Sequence, residues 1–351
     1  MLALSRSKRS TPSVLSPRPA PAGRPRAAPP ERLELSDADA ARARNERFTA
    51  AVVFHTTTSD WSTQALAGIV TTLGRYSAAV VEVVDCQFSI ENQTRALERM
   101  VGERPDAIIS IPIGNTAVAD AHRNVSHAGI KLVVMDNGPT GLLPGTDYAS
   151  VISADNFGLG KVGAELLAPF IPTHGTAAVL GYGVDFFASN EREIAFRQWM
   201  ATNRPDIAIK TAKFSEVDRV SPVVEKLIDA NPDLDGMFAV WDVPAMQAIA
   251  SLRARNRSLP ITTIDLGNEA ATELAAGGMI KGIGAQRPFD LGVAVATATI
   301  AALLDHQPPP WVALPALPVT RKNVIEAYQV VWHAPAPPAL IKAGRDGTKR
   351  R

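Results

Sequence analysis

The stretch RPDAIISIPIGNTAVADAHRNVSHAGIKLVVMDN, Arg104 to Asn137, decides the fold. It opens on a short β-branched run, Ala107 to Ser110, passes through Pro112 to Asn115 (PIGN), and turns to a helical pattern over Thr116 to Ala128. It then returns to a second apolar run, Lys131 to Met135, which ends on Asp136-Asn137. A strand, a helix-length crossover and another strand make a βαβ unit, the building block of a parallel sheet covered by helices.

The unit recurs on both sides. Further strands are expected at Thr49 to Phe54, Ala79 to Asp85, Ser150 to Ser153, Thr176 to Leu180, Ile207 to Ala212, Gly236 to Val240, Ile261 to Ile264 and Lys281 to Ala285. Helical patterns fall between them at Thr63 to Arg75, Asn92 to Gly102, Leu159 to Phe170, Glu191 to Thr202, Arg219 to Asn231, Val243 to Asn256 and Leu291 to Leu304. Ten strands exceed one comfortable sheet. The expectation is therefore an α/β chain of two doubly wound parallel-sheet lobes.

Composition agrees with a globular body. Of 351 residues, 46% are apolar and 20% charged, which excludes a disordered chain, and no apolar run reaches the length of a membrane-spanning helix. The net charge of +1 hides an asymmetry: residues 1–30 carry six basic residues and no acid, and the last eleven carry five basic residues and Asp346. Taking these +6 and +4 ends from +1 leaves −9 for residues 31–340, a mildly acidic body that does not invite nucleic acid. Residues 1–47 read as a disordered Pro/Arg-rich tail with at most a short helix at Asp37 to Arg47, and 334–351 as a basic tail. Seven prolines and three arginines interrupt Ser10 to Pro30, so no secretory signal is visible there and a cytoplasmic location stays open. Cys86, the one cysteine, excludes an intrachain disulfide and reads as a buried small residue.

In doubly wound sheets ligands sit beyond the carboxyl ends of the strands. His55 to Trp61 (HTTTSDW) follows the first strand, Asn115 the third, and Asp136-Asn137 the fourth. In the second half, Asn190 and Arg192 stand at a helix start, Phe214 follows a strand, and Trp241-Asp242, Asp265 and Gln286 each close one. Carboxylates as paired acceptors, arginine and amides as donors, and flat aromatic faces suit a small neutral polyhydroxylated molecule. Each residue also has a structural reading. The aspartates can be turn or cap residues after strands, Asn190 a helix cap, Arg192 a surface residue, His55 a hydrogen-bonded wall residue, and the tryptophans core packing.

Catalytic and cofactor chemistry finds less support. The six histidines show no metal-ligand spacing, no G-x-S-x-G elbow or Walker loop is present, and Cys86 lacks an activating partner. Gly158, Gly160 and Gly163 do spell G-x-G-x-x-G, with Asp185 beyond, as a nicotinamide-dependent oxidoreductase would have. Ala154 to Phe157 separate them from the preceding strand, which favours helix packing instead. The expectation is a binding protein, with no catalytic residues, metal or cofactor.

Ordered signatures extend the reading: "RPDAIISIP" ending at Pro112, "AGIKLVVMDN" at 128–137, "ISADNFGLGKVGAELL" at 152–167, "SNEREIAF" at 189–196, "NPDLDGMFAVWD" at 231–242, "TIDLG" at 263–267 and "GIGAQRPFDLG" at 282–292. From about Phe48 to Trp332 the chain resembles the type I periplasmic sugar-binding proteins that deliver ribose, galactose and similar sugars to ABC transporters. The resemblance implies a Venus-flytrap of two lobes, 48–153 plus 287–312 and 154–286 plus 313–333. Three crossing strands would join them near Ser153 to Asp155, Ala285 to Pro288 and Ala313 to Leu317. It implies a monomer outside the cytoplasm, a permease as partner, and a sugar or polyol held by lobe closure.

By position the resemblance gives Trp61 the role of the family's sugar-covering phenylalanines and Phe214 that of a second-lobe aromatic. Asp136 and Arg192 take hydroxyl-binding roles, and Asp265 and Gln286 match an aspartate and a hinge glutamine. Asn137 stands where ribose binders have arginine, and Trp241 where the family has asparagine, so ribose itself is put in doubt. The same lobes serve lactose-repressor-type regulators, but residues 1–47 offer no helix-turn-helix. A sugar-sensing domain for signalling remains the alternative to a transporter subunit.

Overall fold

The computed structural model describes residues 27–349. In the first half, β1 (Thr49–Phe54), β2 (Ala79–Asp85), β3 (Ala107–Ser110), β4 (Lys131–Met135) and β5 (Val151–Ala154) alternate with α2 (Asp60–Arg75), α3 (Ile90–Glu103) and α4 (Ala119–His127), after an initial α1 (Asp37–Glu46). The second half runs through β6 (Thr176–Tyr182), β7 (Ala208–Phe214), β8 (Gly236–Ala239), β9 (Ile261–Ile264) and β10 (Ile280–Ala285). Its helices are α5 (Asn156–Leu167), α6 (Phe187–Asn203), α7 (Ser221–Ala230), α8 (Asp242–Ala254) and α9 (Asn268–Ala276). Last come α10 (Pro288–Leu303), β11 (Trp311–Leu314), β12 (Leu317–Val319), α11 (Val324–Trp332) and α12 (Pro338–Lys349).

Two six-stranded sheets result, ordered β11-β5-β4-β3-β1-β2 and β12-β10-β9-β8-β6-β7. Every pair is parallel except β12 against β10. The inner strands β3, β8 and β9 are buried on both faces, which is why they show no apolar–polar alternation; the buried Thr262 and Thr263 of β9 satisfy their hydroxyls on the Gly163 and Ala239 carbonyls. Helices cover both sides: in the first lobe one core lies beneath α2 and α10, and a second beneath α3 and α4. Buried Gln93, Ala96, Leu97 and Met100 of α3 fall at the spacing of one helical face, and Ser89 caps its first turn through Asn92 N. The chain passes between the sheets after β5, after β10, and between β11 and β12. Ala154, Ala313 and Leu314 pair within the first sheet, where the expected lobe division had put them in the second.

The ends differ from expectation. Ala28 bridges to Val312 in parallel, a 3-10 turn follows at Pro30–Leu33, and α1 is closed by a capping box between Ser36 and Asp39. Arg42 donates to the Leu304 carbonyl and His306 meets Asp39, so residues 27–47 are docked structure, not tail. The rest of the expected tail, residues 1–26, lies outside the described residues. At the other end α12 packs on α9, with Leu340 buried, where a basic tail was expected. Apolar contacts decide both cases over net composition.

The G-x-G-x-x-G glycines are packing residues. A Cβ on Gly160 would stand 2.1 Å from the Arg192 carbonyl oxygen, one on Gly163 2.5 Å from the Phe238 ring, and one on Gly158 2.2 Å from the Asp155 carboxylate that caps α5. The α5–α6 contact is therefore backbone against backbone at the turn that carries Arg192. Gly160→Ala is expected to cost about 1–3 kcal/mol, a drop of several degrees in melting temperature. An unchanged melting curve would show that α5 and α6 can separate freely.

Candidate functional site

Asp136 and Asp265 occupy equivalent places, the first residues after β4 and β9. Both adopt left-handed backbone, φ 59° and 71°, a conformation that aspartate tolerates better than most residues. The turn at Asp136 is fixed by its own N–H to Ile152 O (2.9 Å) and by Asn137 N to Met135 O (2.6 Å). Asp136, only 5% exposed, comes within electrostatic reach of Arg192 of α6 and of Asp265.

Arg192 is equally buried. Its Nε donates to Asn156 Oδ1 (3.0 Å) and its Nη1 to the Val240 carbonyl (2.9 Å). Burial pushes the Asp136 carboxyl up to about 6 although the Arg192 guanidinium pulls it down, and burial likewise raises Asp265. Asp242, at the start of α8, accepts from Gly267 N (2.9 Å); burial, and then the nearby Asp265 charge, push it up to about 7. Gln286, just beyond β10, donates its amide to Asp265 Oδ1 (2.6 Å).

These groups line a cavity of about 720 Å³ between the lobes. Aromatic rings form much of its wall. From the first lobe come His55, Trp61 and Phe88, with His55 packed edge-on to Phe88 at 4.9 Å. Tyr182, Phe186 and Trp241 face them from the second, and the Phe186 ring stacks against His55 at 6.2 Å across the cleft. At the rim Asp60 Oδ2 accepts from Asn268 Nδ2 (3.1 Å), tying the start of α2 to the start of α9. Four buried wall atoms find no protein partner: His55 Nδ1, Trp61 Nε1, Asp136 Oδ1 and Gln286 Oε1.

Eight of the twelve residues expected from the sequence stand on this wall: His55, Trp61, Asp136, Arg192, Trp241, Asp242, Asp265 and Gln286. The other four stand off it. Asn137 donates to Asn115 Oδ1 (2.7 Å), so the two amides brace the loops after β3 and β4. Asn190 bonds back to Asp185 Oδ1 (2.8 Å) and caps nothing. Phe214, fully buried, backs Trp241 and Tyr182 at 5.2 and 5.4 Å.

Tyr182, Phe88, Phe186 and Asn268 were not expected on the wall, whereas Asp60 lies in the His55 to Trp61 stretch read from the sequence. Tyr182 closes β6 as Trp241 follows β8, so the strand-end rule itself could have found it. Among the described residues no cluster of side chains could hold a metal ion, and no helix is long and apolar enough to cross a membrane. Burial pushes the Cys86 thiol up to about 12, consistent with a packing role.

Residues 50–308 match the family described as the periplasmic binding protein domain. The chain belongs to the periplasmic binding protein family. This periplasmic binding protein is 22% identical over 212 residues to the ribose import binding protein of Bacillus subtilis (strain 168), a match covering 60% of this chain and 68% of that one. Among solved structures it resembles an ABC transporter solute-binding protein from Agrobacterium vitis bound with α-D-tagatopyranose. The TM-score is 0.75 and the identity 20%, over 83% of this chain and 99% of the other. A solute-binding protein from Mycobacterium smegmatis with bound glycerol gives 0.72 and 18%, over 81% and 96%. At these identities the structures show a shared fold, the two-lobed α/β architecture of this periplasmic binding protein.

Proposed function

We propose that the protein captures one small polyhydroxylated solute, a sugar or polyol, between its lobes and presents it outside the cytoplasm to the permease of an ABC transporter. It acts as a monomer and performs no chemistry on the solute. The observation that carries this reading is the convergence of unmatched donors and acceptors from both sides of the cleft on one aromatic-walled cavity. Hydroxyls donate and accept, so one polyol can satisfy Trp61 Nε1 and Asp136 Oδ1 together, and its CH faces fit against indole and phenyl rings. The ribose, tagatose and glycerol named for the relatives belong to the same chemical class. A thermal-shift screen of pentoses, hexoses and alditols, with nicotinamide cofactors included, tests it. At least one sugar or polyol should raise the melting temperature and the cofactors should not; stabilisation by a cofactor alone would overturn the reading.

Trp241 sets the solute preference in this proposal. An indole offers a flat wall and a single donor where an amide would offer directional bonds, and its bulk shortens the cavity. Trp241→Asn is expected to change the order of preference among the screened solutes, because it enlarges the cavity and restores a polar contact at once. A uniform loss with the order unchanged would make Trp241 a packing residue.

A further inference from the structure

Helix α9 begins without a cap of its own. Gly267 precedes it and offers no side chain, so its first N–H groups take acceptors from elsewhere. Asp242, in the same lobe, accepts from the Gly267 N–H (2.9 Å). The next bonds cross the cleft. The Asn268 N–H donates to Asp60 Oδ2 of the other lobe (3.3 Å), and the Asn268 side-chain amide donates to the same oxygen (3.1 Å). Tyr328 Oη donates to Asn268 Oδ1 (2.7 Å), which turns the amide nitrogen toward Asp60. Asp60 is itself fixed in the first turn of α2, beside the Ser59 cap. Its negative charge thus stands at the positive end of a helix in the opposite lobe. Every partner in this set is a protein atom, so its formation needs no solute.

We infer that Asp60 is an interlobe latch, a positioning residue that caps α9 of the opposite lobe when the cleft is closed and so draws the lobes together before any solute arrives. Opening the cleft parts α2 from α9 and hands the Asn268 donors to water, whereas closing it restores their charge-assisted bonds. Asp60 and Asn268 are both exposed at the rim, so the gain is modest. It shares the ligand-free protein between open and closed forms without locking it shut. Apparent affinity scales with the fraction of molecules already in the binding-competent form, so the latch raises affinity for every solute by one common factor. A residue that touches solute, as proposed for Trp241, instead changes the order of preference. The effect on affinity rests on the proposed solute site; the latch itself does not.

Small-angle X-ray scattering of the ligand-free full chain tests it on wild type, Asp60→Ala, Asp60→Asn, Asn268→Ala and the double alanine variant, with circular dichroism to verify each fold. Both single alanine variants should have a larger radius of gyration than wild type. The double variant should be no larger than either, because each substitution breaks the same contact. Asp60→Asn keeps an acceptor oxygen and should fall between wild type and Asp60→Ala. Toward the sugars and polyols that stabilise the protein in the thermal screen, Asp60→Ala should lose affinity by about threefold or more, equally for all, and saturating solute should return it to the wild-type radius. Ligand-free radii that stay at the wild-type value in both single alanine variants would overturn the latch and leave the solute site standing. A changed order of preference would make Asp60 a solute contact and overturn it as well. If the screen finds no solute, the site falls while the ligand-free radii still decide the latch.

Discussion

Arg192→Ala should abolish measurable solute binding, a loss of at least a hundredfold, and also destabilise the ligand-free protein. The guanidinium acts electrostatically on both the Asp136 and the Asp265 carboxyl, holds Asn156 and the Val240 carbonyl, and is the only cation on the cavity wall among the described residues. Its removal takes away the one charge that favours ionisation of these two buried carboxyls and leaves Asn156 Oδ1 and the Val240 carbonyl without their donor, a loss of about 1–3 kcal/mol for each buried group left unmatched. Titration calorimetry and thermal melts check the two effects separately, and circular dichroism verifies that the variant is folded. A folded variant binding within threefold of wild type would remove Arg192 from the site.

Asp136→Asn should separate function from stability. Affinity is expected to fall at least tenfold, roughly 1.4 kcal/mol, because a charge-assisted acceptor becomes a neutral amide. Stability should move the other way at pH 8. The Asp136 carboxyl is raised from its ordinary value of 3.8 to about 6 in the folded protein, chiefly by burial, so the folded state holds a proton that the unfolded chain releases. Its contribution is therefore fully present below about pH 4 and is lost as the pH rises through about 6. At pH 8 the ionised form costs on the order of 2–3 kcal/mol, which asparagine avoids while keeping the left-handed turn. The variant should melt higher than wild type at pH 8 and level with it near pH 4. An equal or lower melting temperature at both pH values would mean that the carboxylate is stabilised by partners in the ligand-free protein.

The strands were legible because a parallel strand buried on both faces leaves a short run of apolar and β-branched residues with no exposed face, as Ala-Ile-Ile in β3 and Ile-Thr-Thr-Ile in β9, whose buried threonines donate to the Gly163 and Ala239 carbonyls. Helix starts were less so. Ser59 caps α2, which brings Asp60 and Trp61 into its first turn, where the apolar pattern alone begins the helix at Thr63. Asn268–Ala276 was missed because its start carries no side-chain cap and its residues are mostly alanine and acid.

At the site, the strand-end rule located positions but not side-chain directions. Left-handed backbone at Asp136 sends that carboxylate to the cavity while the next residue, Asn137, closes a turn and faces Asn115. Phe214 ends an edge strand whose neighbour, Tyr182, takes the wall position in front of it. Such one-residue choices depend on backbone dihedrals and neighbouring rings, which no local sequence pattern records.

Lobe closure over a polyhydroxylated solute is tested most directly by small-angle X-ray scattering of the full chain, with and without the sugar or polyol that stabilises it most in the thermal screen. Because the cavity draws its walls from both lobes, bound solute favours the closed arrangement through contacts made only there. The radius of gyration should fall on saturation, and the same solute should leave Arg192→Ala unchanged. Saturating binding with no contraction in the wild-type protein would contradict capture between the lobes.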